Sequence, residues 1–454
     1  MKRTEEFDLS LAFDLCSAPP KRAVVGEQKR VTRVQAPAVG DFAGLVIKKP
    51  DYDRQYGPLY FSRLQQLRVP LEKQVRAVAG TVPFRAKLID VQLQEECWVV
   101  GTLFRDMLGR PSALDEYSEA VHVLKDCYAA PDDKFIIEDE TGRASLREEG
   151  TKLLAEDVTG LVVALRCVEQ ESGELLVRQV LHPGVAPLFQ PTPIAAKAAA
   201  PSGFVGFVSG KLDGLRGELL AEFLCGQLGA PRTTRASSDI ARLVVLGNAV
   251  GSGDGAAREA VKHHHQALTA AEEANLLAPV VRLDAYLARL CGSIPVDVLP
   301  GPSDPAAQCL PQQPLSPVLF PSASRWGSFN CVTNPSRLII GGQVELLCSG
   351  GQPVENLRHY SLLSPMDAAC GMLRWRHLCP TAPDTLACYP SPEDPFVLAH
   401  SPHVVAFGNM PHFETRRVQQ STVLLVPSFA ESGLLVLYNL ATREVSKICF
   451  SIDN

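Results

Sequence analysis

The chain has 454 residues, of which 46% are hydrophobic and 21% charged, and its formal charge at pH 7 is −6. This composition is that of a globular protein with a large buried core, and a chain of this length is expected to form two or more domains. No apolar run reaches the roughly 20 residues of a membrane span, and acidic residues interrupt the apolar stretch that a signal peptide would need near the N-terminus. We therefore expect neither membrane insertion nor secretion.

The 13 cysteines are scattered, and no Cys-x-x-Cys pair occurs. This spacing lacks the usual sequence signal of a zinc cluster or a redox pair. We interpret the cysteines as reduced thiols of an intracellular protein, several of them in core strands, among them Cys167 and Cys348. The sequence predicts no metal and no cofactor.

The N-terminal part of the chain divides into an arm and a β-rich domain. Residues 1–45 mix proline, alanine and isolated charges, and we predict a flexible arm. Residues 46–190 begin with a helical segment, which Pro70 should interrupt or kink, and continue with short β-type runs that predict a small closed barrel of the OB-fold type. The runs are RAKLIDVQL, CWVVGTLF, KFIIED, RASLRE, LVVALRC and ELLVRQVL.

A Pro- and Ala-rich linker, 191–203, precedes a second domain at 204–454. Strands and helices alternate in this domain, which predicts an α/β layered fold, with an Ala-rich helix at about 256–277 and a second helix after it. Most of its predicted strands end in tight polar turns. Because ligand sites of α/β sheets form at the carboxyl ends of strands, these turns predict the position of a site.

The residues at these turns do not fit a working two-metal phosphoesterase. Such a site needs several carboxylates and imidazoles to hold and neutralise two cations. A lysine ammonium has no lone pair to donate to a metal, and one carboxylate does not hold two divalent ions. We therefore interpret the site as degenerate and predict no catalytic and no metal-binding residue. The degenerate pocket positions are Ser209, Lys211, Asn248, Asp304 and Asn409.

Several long motifs resemble the second-subunit (B-subunit) family of eukaryotic DNA polymerase delta, over roughly residues 56–454. The resemblance implies an OB-fold barrel joined to a calcineurin-like (metallophosphoesterase-like) α/β sandwich that lacks its metal ligands. The motifs are DVLPGPSDPAAQCLPQQPLSPVLFP, VTNP, CPTAPDTLACYP, HVVAFGN, ECWVVGTLF, DDKFIIEDE and VTGLVVALR.

The resemblance further implies a non-catalytic regulatory subunit in the nucleus, serving DNA replication and repair. Its implied partners are the catalytic subunit of DNA polymerase delta, through that subunit's cysteine-rich C-terminal module, and a third accessory subunit, which provides an indirect link to the sliding clamp. Direct contact with nucleic acid is expected to be weak at most, and no membrane contact is expected. No short motif assigns individual contact residues.

Two other functions fit parts of the sequence. One is a metal-dependent phosphoesterase or 3′–5′ exonuclease of the same fold, which the degenerate turns disfavour. The other is an OB-type single-stranded DNA-binding protein. Residues 81–190 carry 11 Lys and Arg against 20 Asp and Glu, a balance of −9 that disfavours phosphate binding, whereas residues 1–80 balance at +5.

Two further segments have more than one interpretation. The three histidines at 263–265 point in three directions around a helix, so we interpret them as a solvated surface and not as metal ligands. The Pro-rich segment 300–321 is either a rigid docking surface or a strap across the sheet.

Overall fold

The computed structural model describes residues 32–40, 44–110, 125–150, 153–228, 231–251 and 270–451. The strands in this part of the chain are β1 (Ala38–Gly40), β2 (Glu96–Asp106), β3 (Lys134–Glu138), β4 (Arg143–Glu148), β5 (Val162–Glu169), β6 (Leu175–Leu181), β7 (Phe204–Val208), β8 (Ile240–Leu246), β9 (Val296–Leu299), β10 (Phe329–Cys331), β11 (Ser336–Ile340), β12 (Val344–Ser349), β13 (Val404–Met410), β14 (Glu414–Val418), β15 (Ser421–Pro427), β16 (Leu434–Asn439) and β17 (Val445–Cys449). The helices are α1 (Gly57–Val78), α2 (Gly214–Leu224), α3 (Pro231–Ser238), α4 (Ala270–Cys291), α5 (Gln352–Tyr360), α6 (Pro365–Arg374) and α7 (Phe429–Ser432). None of these helices combines the length and the apolar character that crossing a bilayer requires.

The first domain is a closed five-stranded barrel in the order β2-β3-β4-β6-β5, with helix α1 packed against β2 and β5. This confirms the predicted OB-type barrel. The predicted strand RAKLIDVQL is wrong, because this segment forms the short 3₁₀ turn Leu88–Asp90 and an isolated β-bridge at Leu93 instead of a strand. The Asp139 carboxylate accepts a hydrogen bond from Leu88 N at 2.7 Å, which satisfies this backbone group without a strand partner.

Helix α1 continues through Pro70 to Val78, so the predicted interruption is not observed. Proline in a helix interior costs about 3 kcal/mol, because it removes a backbone hydrogen bond and crowds the preceding turn. The apolar face of α1 offsets this cost, since burial of one leucine contributes about 1.5–3 kcal/mol. The buried apolar residues of this face are Leu59, Leu64, Leu67, Leu71 and Val75.

The second domain is built on two six-stranded mixed sheets, in the orders β1-β11-β12-β13-β15-β14 and β10-β9-β8-β7-β16-β17. Their facing apolar side chains form a continuous core, in which Val244 and Val426 are fully buried. The layered α/β class is therefore confirmed. Helix α4 continues through Pro279, where the sequence predicted a boundary between two helices, and the histidines at 263–265 lie outside the described residues.

Part of the segment predicted as a flexible arm contacts the second domain. Strand β1 pairs antiparallel with β11, with Ala38 opposite Ile340. The Arg33 guanidinium donates to Ser237 O at 2.6 Å and to Ile240 O at 2.7 Å. Residues 33–40 thus attach to both sheets. The domain limits drawn from the sequence remain predictions.

A buried ion pair joins the barrel side of the molecule to the second domain. Arg63 of α1 donates from Nε to the Asp394 carboxylate at 2.7 Å, and both side chains are completely buried. The same guanidinium donates to Gly160 O at 3.2 Å and to Pro380 O at 2.8 Å. His377 Nε2 lies 2.9 Å from the Asp394 carboxylate. The network holds a helix, a barrel loop and the second domain together.

This network predicts loss of stability in mild acid. Burial raises the pKa of Asp394, but the neighbouring His377, the Arg63 guanidinium and the hydrogen bond from Phe396 N outweigh burial and hold the pKa below its usual value. Burial lowers the pKa of His377 below its usual 6.5. Both shifts mean that the folded chain binds fewer protons than the unfolded chain, so stability falls as pH decreases below about 6.5.

The measurement is the urea midpoint of the full chain at several pH values. We expect a His377→Gln variant to lose less stability than the wild type between about pH 6.5 and 5, because glutamine does not titrate. Equal losses in the two proteins over this range would show that His377 does not resist protonation in the folded state.

Candidate functional site

The candidate site lies where the carboxyl ends of parallel strands from both sheets meet. Strands β7, β8 and β9 are parallel in one sheet, and β12, β13 and β15 in the other. A Cβ added to Gly408 would lie 2.3 Å from Leu246 O, and one added to Gly247 would lie 2.8 Å from Gly301 Cα. A Cβ on Gly351 would lie 2.1 Å from Gly408 O. The glycines are required here because the turns contact one another directly.

Ser209 and Asn409 connect the end of β7 to a turn within β13. Asn409 has φ +58°, a left-handed conformation that asparagine adopts more readily than most residues. Its backbone N–H donates to Ser209 Oγ at 3.0 Å, and its Nδ2 donates to Leu246 O and Gly350 O at 3.1 and 2.9 Å. The Ser209 hydroxyl donates to Pro427 O at 2.9 Å. Both side chains therefore bind the backbone of neighbouring strand ends.

Asp304 is bound on both carboxylate oxygens by the chain itself. Its Oδ2 accepts from Asn248 N at 2.7 Å and Gly301 N at 2.9 Å, and its Oδ1 accepts from Val250 N at 2.9 Å and Gly251 N at 3.2 Å. A carboxylate offers about four lone-pair positions, and the four amides use them. Burial raises the pKa of Asp304 above its usual 3.8, and the amide hydrogen bonds oppose this rise.

Asn248 and Lys211 complete this group. Asn248 has φ +60°, and its Oδ1 accepts a hydrogen bond from Ser303 N at 2.9 Å. The aliphatic part of Lys211 packs over Gly251, where an added Cβ would lie 2.5 Å from Lys211 Cε. The structure thus brings Lys211, Asn248 and Asp304 together around one loop. Ser209 and Asn409 form an adjoining group, joined to the first through the end of β8.

Two buried amide side chains, Gln312 and Asn334, and the partly exposed Gln352 support the same turns, and the sequence reasoning did not identify them. Asn334 Nδ2 donates to Gln312 Oε1 at 2.8 Å and to Gln352 Oε1 at 2.9 Å, and Gln352 Nε2 donates to Gln312 Oε1 at 2.7 Å. Asn334 Oδ1 accepts from Gly350 N at 2.9 Å. Gln312 and Asn334 lie in the motifs LPQQP and VTNP, so the unusual motifs were a signal of their importance, although not of their role.

The polar side chains of the site bind mainly to the backbone. Its carboxylate and amide oxygens accept hydrogen bonds from the chain, and its serine hydroxyl donates to a carbonyl. Among the residues that the structure describes, no three or more His, Cys, Asp or Glu side chains are grouped closely enough to hold a metal ion. The polar groups at the strand ends hold the turns of the two sheets against each other.

Two family models match the chain. Residues 55–180 match the model described as DNA polymerase delta subunit OB-fold domain. Residues 207–415 match the model for the B subunit of DNA polymerase alpha/epsilon. Among solved structures, one titled "Structural and Functional Characterization of a Novel Archaeal Phosphodiesterase" aligns with 54% of this chain and 99% of its own, at 9% identity and a TM-score of 0.29, a similarity too low to identify a shared function.

Curated relatives align with most of the chain. The DNA polymerase delta small subunit of Oryza sativa subsp. japonica is 34% identical over 88% of this chain and 93% of its own length. DNA polymerase delta subunit 2 of Drosophila melanogaster is 32% identical over 90% and 96%. The DNA polymerase delta small subunit of Saccharomyces cerevisiae is 29% identical over 90% of this chain and 92% of its own length. The resemblance seen in the sequence motifs is confirmed, and the chain belongs to the DNA polymerase delta small-subunit family.

Proposed function

We propose that this chain is the non-catalytic second subunit of DNA polymerase delta, acting in the nucleus in DNA replication and repair. Relatives from plants, fly and yeast, named as subunits of this polymerase, support the proposal. The observation that carries the non-catalytic part is the Asp304 carboxylate, whose two oxygens each accept two backbone N–H groups. A metal ion would have to displace these bonds before it could use that carboxylate.

The second domain, on this proposal, is a phosphoesterase-like fold whose metal positions have changed to structural ones. Ser209, Asn248 and Asn409 bind backbone groups at three different strand ends. Lys211 places an ammonium where a two-metal site would need a neutral or anionic ligand, and like charges repel strongly in a poorly solvated site. The fold is retained because the same turns join the two sheets.

The work of the subunit is then assembly. It holds the catalytic subunit, through that subunit's cysteine-rich C-terminal module, and a third accessory subunit in one complex. Each bound partner raises the effective concentration of the other, without a chemical step by this chain. The third subunit supplies the link to the sliding clamp.

Coexpression with the catalytic subunit tests this function. We expect the full chain to co-elute with the catalytic subunit on size exclusion, and the purified pair to bind the third subunit. We also expect the chain alone to show no phosphodiester cleavage with added manganese. Failure to co-elute, or cleavage that EDTA abolishes, would contradict the proposal.

Replacing Lys211 with alanine should leave assembly unchanged. The aliphatic part of its side chain packs over Gly251, and the residue is only partly exposed, so the loss of a few methylene contacts is the expected effect. Co-elution with the catalytic subunit measures assembly, and circular dichroism checks the fold. A folded variant that no longer assembles would show that the site itself is a docking surface.

The full chain should not bind single-stranded DNA at physiological salt. Single-strand binders combine a basic groove with exposed aromatic platforms. Residues 81–190 balance at −9, and Trp98 of the barrel is only 1% exposed. Fluorescence anisotropy with a labelled oligonucleotide measures binding. Micromolar affinity that falls steeply with added salt would contradict this prediction.

A further inference from the structure

Two cysteines face each other inside the barrel. The antiparallel register of β2 and β5 places Cys97 opposite Cys167. The next residue, Trp98, makes its backbone hydrogen bonds on the other side of β2. Its N–H donates to Pro83 O and its C=O accepts from Arg85 N, both at 2.8 Å. Because successive residues of a strand turn their backbone groups to opposite sides, Cys97 turns its own toward β5. The two cysteines therefore form a hydrogen-bonded pair.

The Cα separation of such a pair lies within the range of disulfides. Cα atoms of a hydrogen-bonded antiparallel pair are about 5.5 Å apart, and disulfides span Cα separations of about 4.4–6.8 Å. Both are free cysteines and both are buried in the core of the barrel. Among the strand pairs that the structure describes, no other register sets one cysteine opposite another.

Both cysteines are 0% exposed, but the residue that precedes each of them is partly exposed. Glu96 and Arg166, the neighbours of the two cysteines, form an ion pair at 2.7 Å whose side chains are each 36% exposed. The hydrogen bond with Cys167, and then the charge of Arg85, lower the pKa of Cys97 against the effect of burial. Because the thiolate is the reactive form of a cysteine, this direction favours Cys97 over Cys167 as the attacking thiol.

We propose that Cys97 and Cys167 form a reversible oxidation site, in which hydrogen peroxide converts the two thiols into a disulfide across the barrel. The Cys97 thiolate attacks one peroxide oxygen and the O–O bond breaks. The leaving hydroxide takes a proton to become water, and Cys97 becomes a sulfenic acid. The Cys167 sulfur then attacks the Cys97 sulfur, the S–O bond breaks, and the OH group leaves with the Cys167 proton as a second water. The disulfide links β2 to β5 and closes the chain between them.

Peptide mapping of the full chain tests the site. After peroxide treatment, denaturation and alkylation of free thiols, trypsin without reductant should release one linked species. Cleavage after Arg and Lys places Cys97 alone in peptide 88–105 and Cys167 alone in peptide 167–178, so the linked pair is diagnostic. We expect it to disappear on reduction with dithiothreitol. Recovery of both peptides as alkylated thiols, under conditions that oxidise the exposed Cys449, would overturn the proposal.

Two variants test which cysteine is oxidised first and which one then forms the disulfide. Cys167→Ala should leave Cys97 as a sulfenic acid that dimedone traps, whereas the wild type should yield several-fold less adduct because Cys167 resolves it. Cys331→Ser is the matched control, since Cys331 lies opposite Val298 and not opposite a cysteine, and it should keep the linked peptide. Equal dimedone labelling of Cys97 in the wild type and in Cys167→Ala, or loss of the link in the control, would overturn the assigned pairing.

Discussion

Replacing Arg63 with alanine should lower the free energy of unfolding by about 3–5 kcal/mol, because the change leaves the Asp394 carboxylate buried without its main partner. Both side chains of the pair are 0% exposed. The change also removes the donor to Pro380 O at 2.8 Å, a carbonyl that then loses this hydrogen bond. Urea unfolding of the full chain, followed by circular dichroism, measures the loss.

Arg68→Ala is the matched control, since it changes the same residue type on the same helix. Arg68 pairs with Glu140 at 3.3 Å with both side chains partly exposed, and exposed pairs contribute about 0–1 kcal/mol. The Arg63 variant should also expose the junction of the two domains to limited proteolysis before global unfolding. Equal stability losses in the two variants would contradict the role assigned to the buried pair.

The position of Arg63 shows what helical periodicity in the sequence can and cannot predict. Leu59, Arg63 and Leu67 follow one another at four-residue spacing, so the sequence places this arginine on the apolar face of α1. The spacing alone does not reveal its partner, because Asp394 lies far along the chain in a Pro-rich segment without a strand or helix pattern. Long-range ion pairs of this kind depend on the packing of two domains, which no local pattern encodes.

The barrel strands were predictable because they are short runs rich in apolar and β-branched residues, bounded by turn or charged segments. Four strands of the second domain, β10, β11, β14 and β17, were not predicted. Strand β14 is mostly exposed, and Arg416 and Arg417 give it a polar character. Strand β11 begins directly after Pro335, and its five residues are too few to be distinguished from the surrounding loop by sequence pattern. Edge and loop-bounded strands gain their order from a neighbouring strand, not from their own composition.

The location of the candidate site was predictable, but its internal bonding was not. Glycines after apolar runs correctly indicated that several strand ends converge. The roles of Gln312 and Asn334 were missed, because amide side chains follow no periodicity and their partners come from distant turns. The interpretation of the five pocket positions as former metal positions stays a prediction. Their hydrogen bonds describe only what these residues do now.

Replacing Asp304 with alanine should lower the free energy of unfolding by about 3 kcal/mol. The reason is that the change removes an anionic acceptor from four backbone N–H groups, and buried donors without partners are costly. Asp304→Asn should have an intermediate effect, since its amide oxygen still accepts while its NH₂ group faces donors. Asp213→Ala is the control, because Asp213 is exposed and makes no capping hydrogen bond at the start of α2.

Urea unfolding of these three variants distinguishes a structural role of the Asp304 carboxylate from a catalytic one. A structural role predicts a graded loss of stability, largest for Asp304→Ala, with the Asp213 control within about 0.5 kcal/mol of the wild type. A catalytic role predicts little change in stability and loss of a manganese-dependent phosphodiesterase activity that the wild type would then possess. The four short contacts at Asp304 favour the first outcome, because a carboxylate that bridges two metal ions cannot also give all its lone pairs to the backbone.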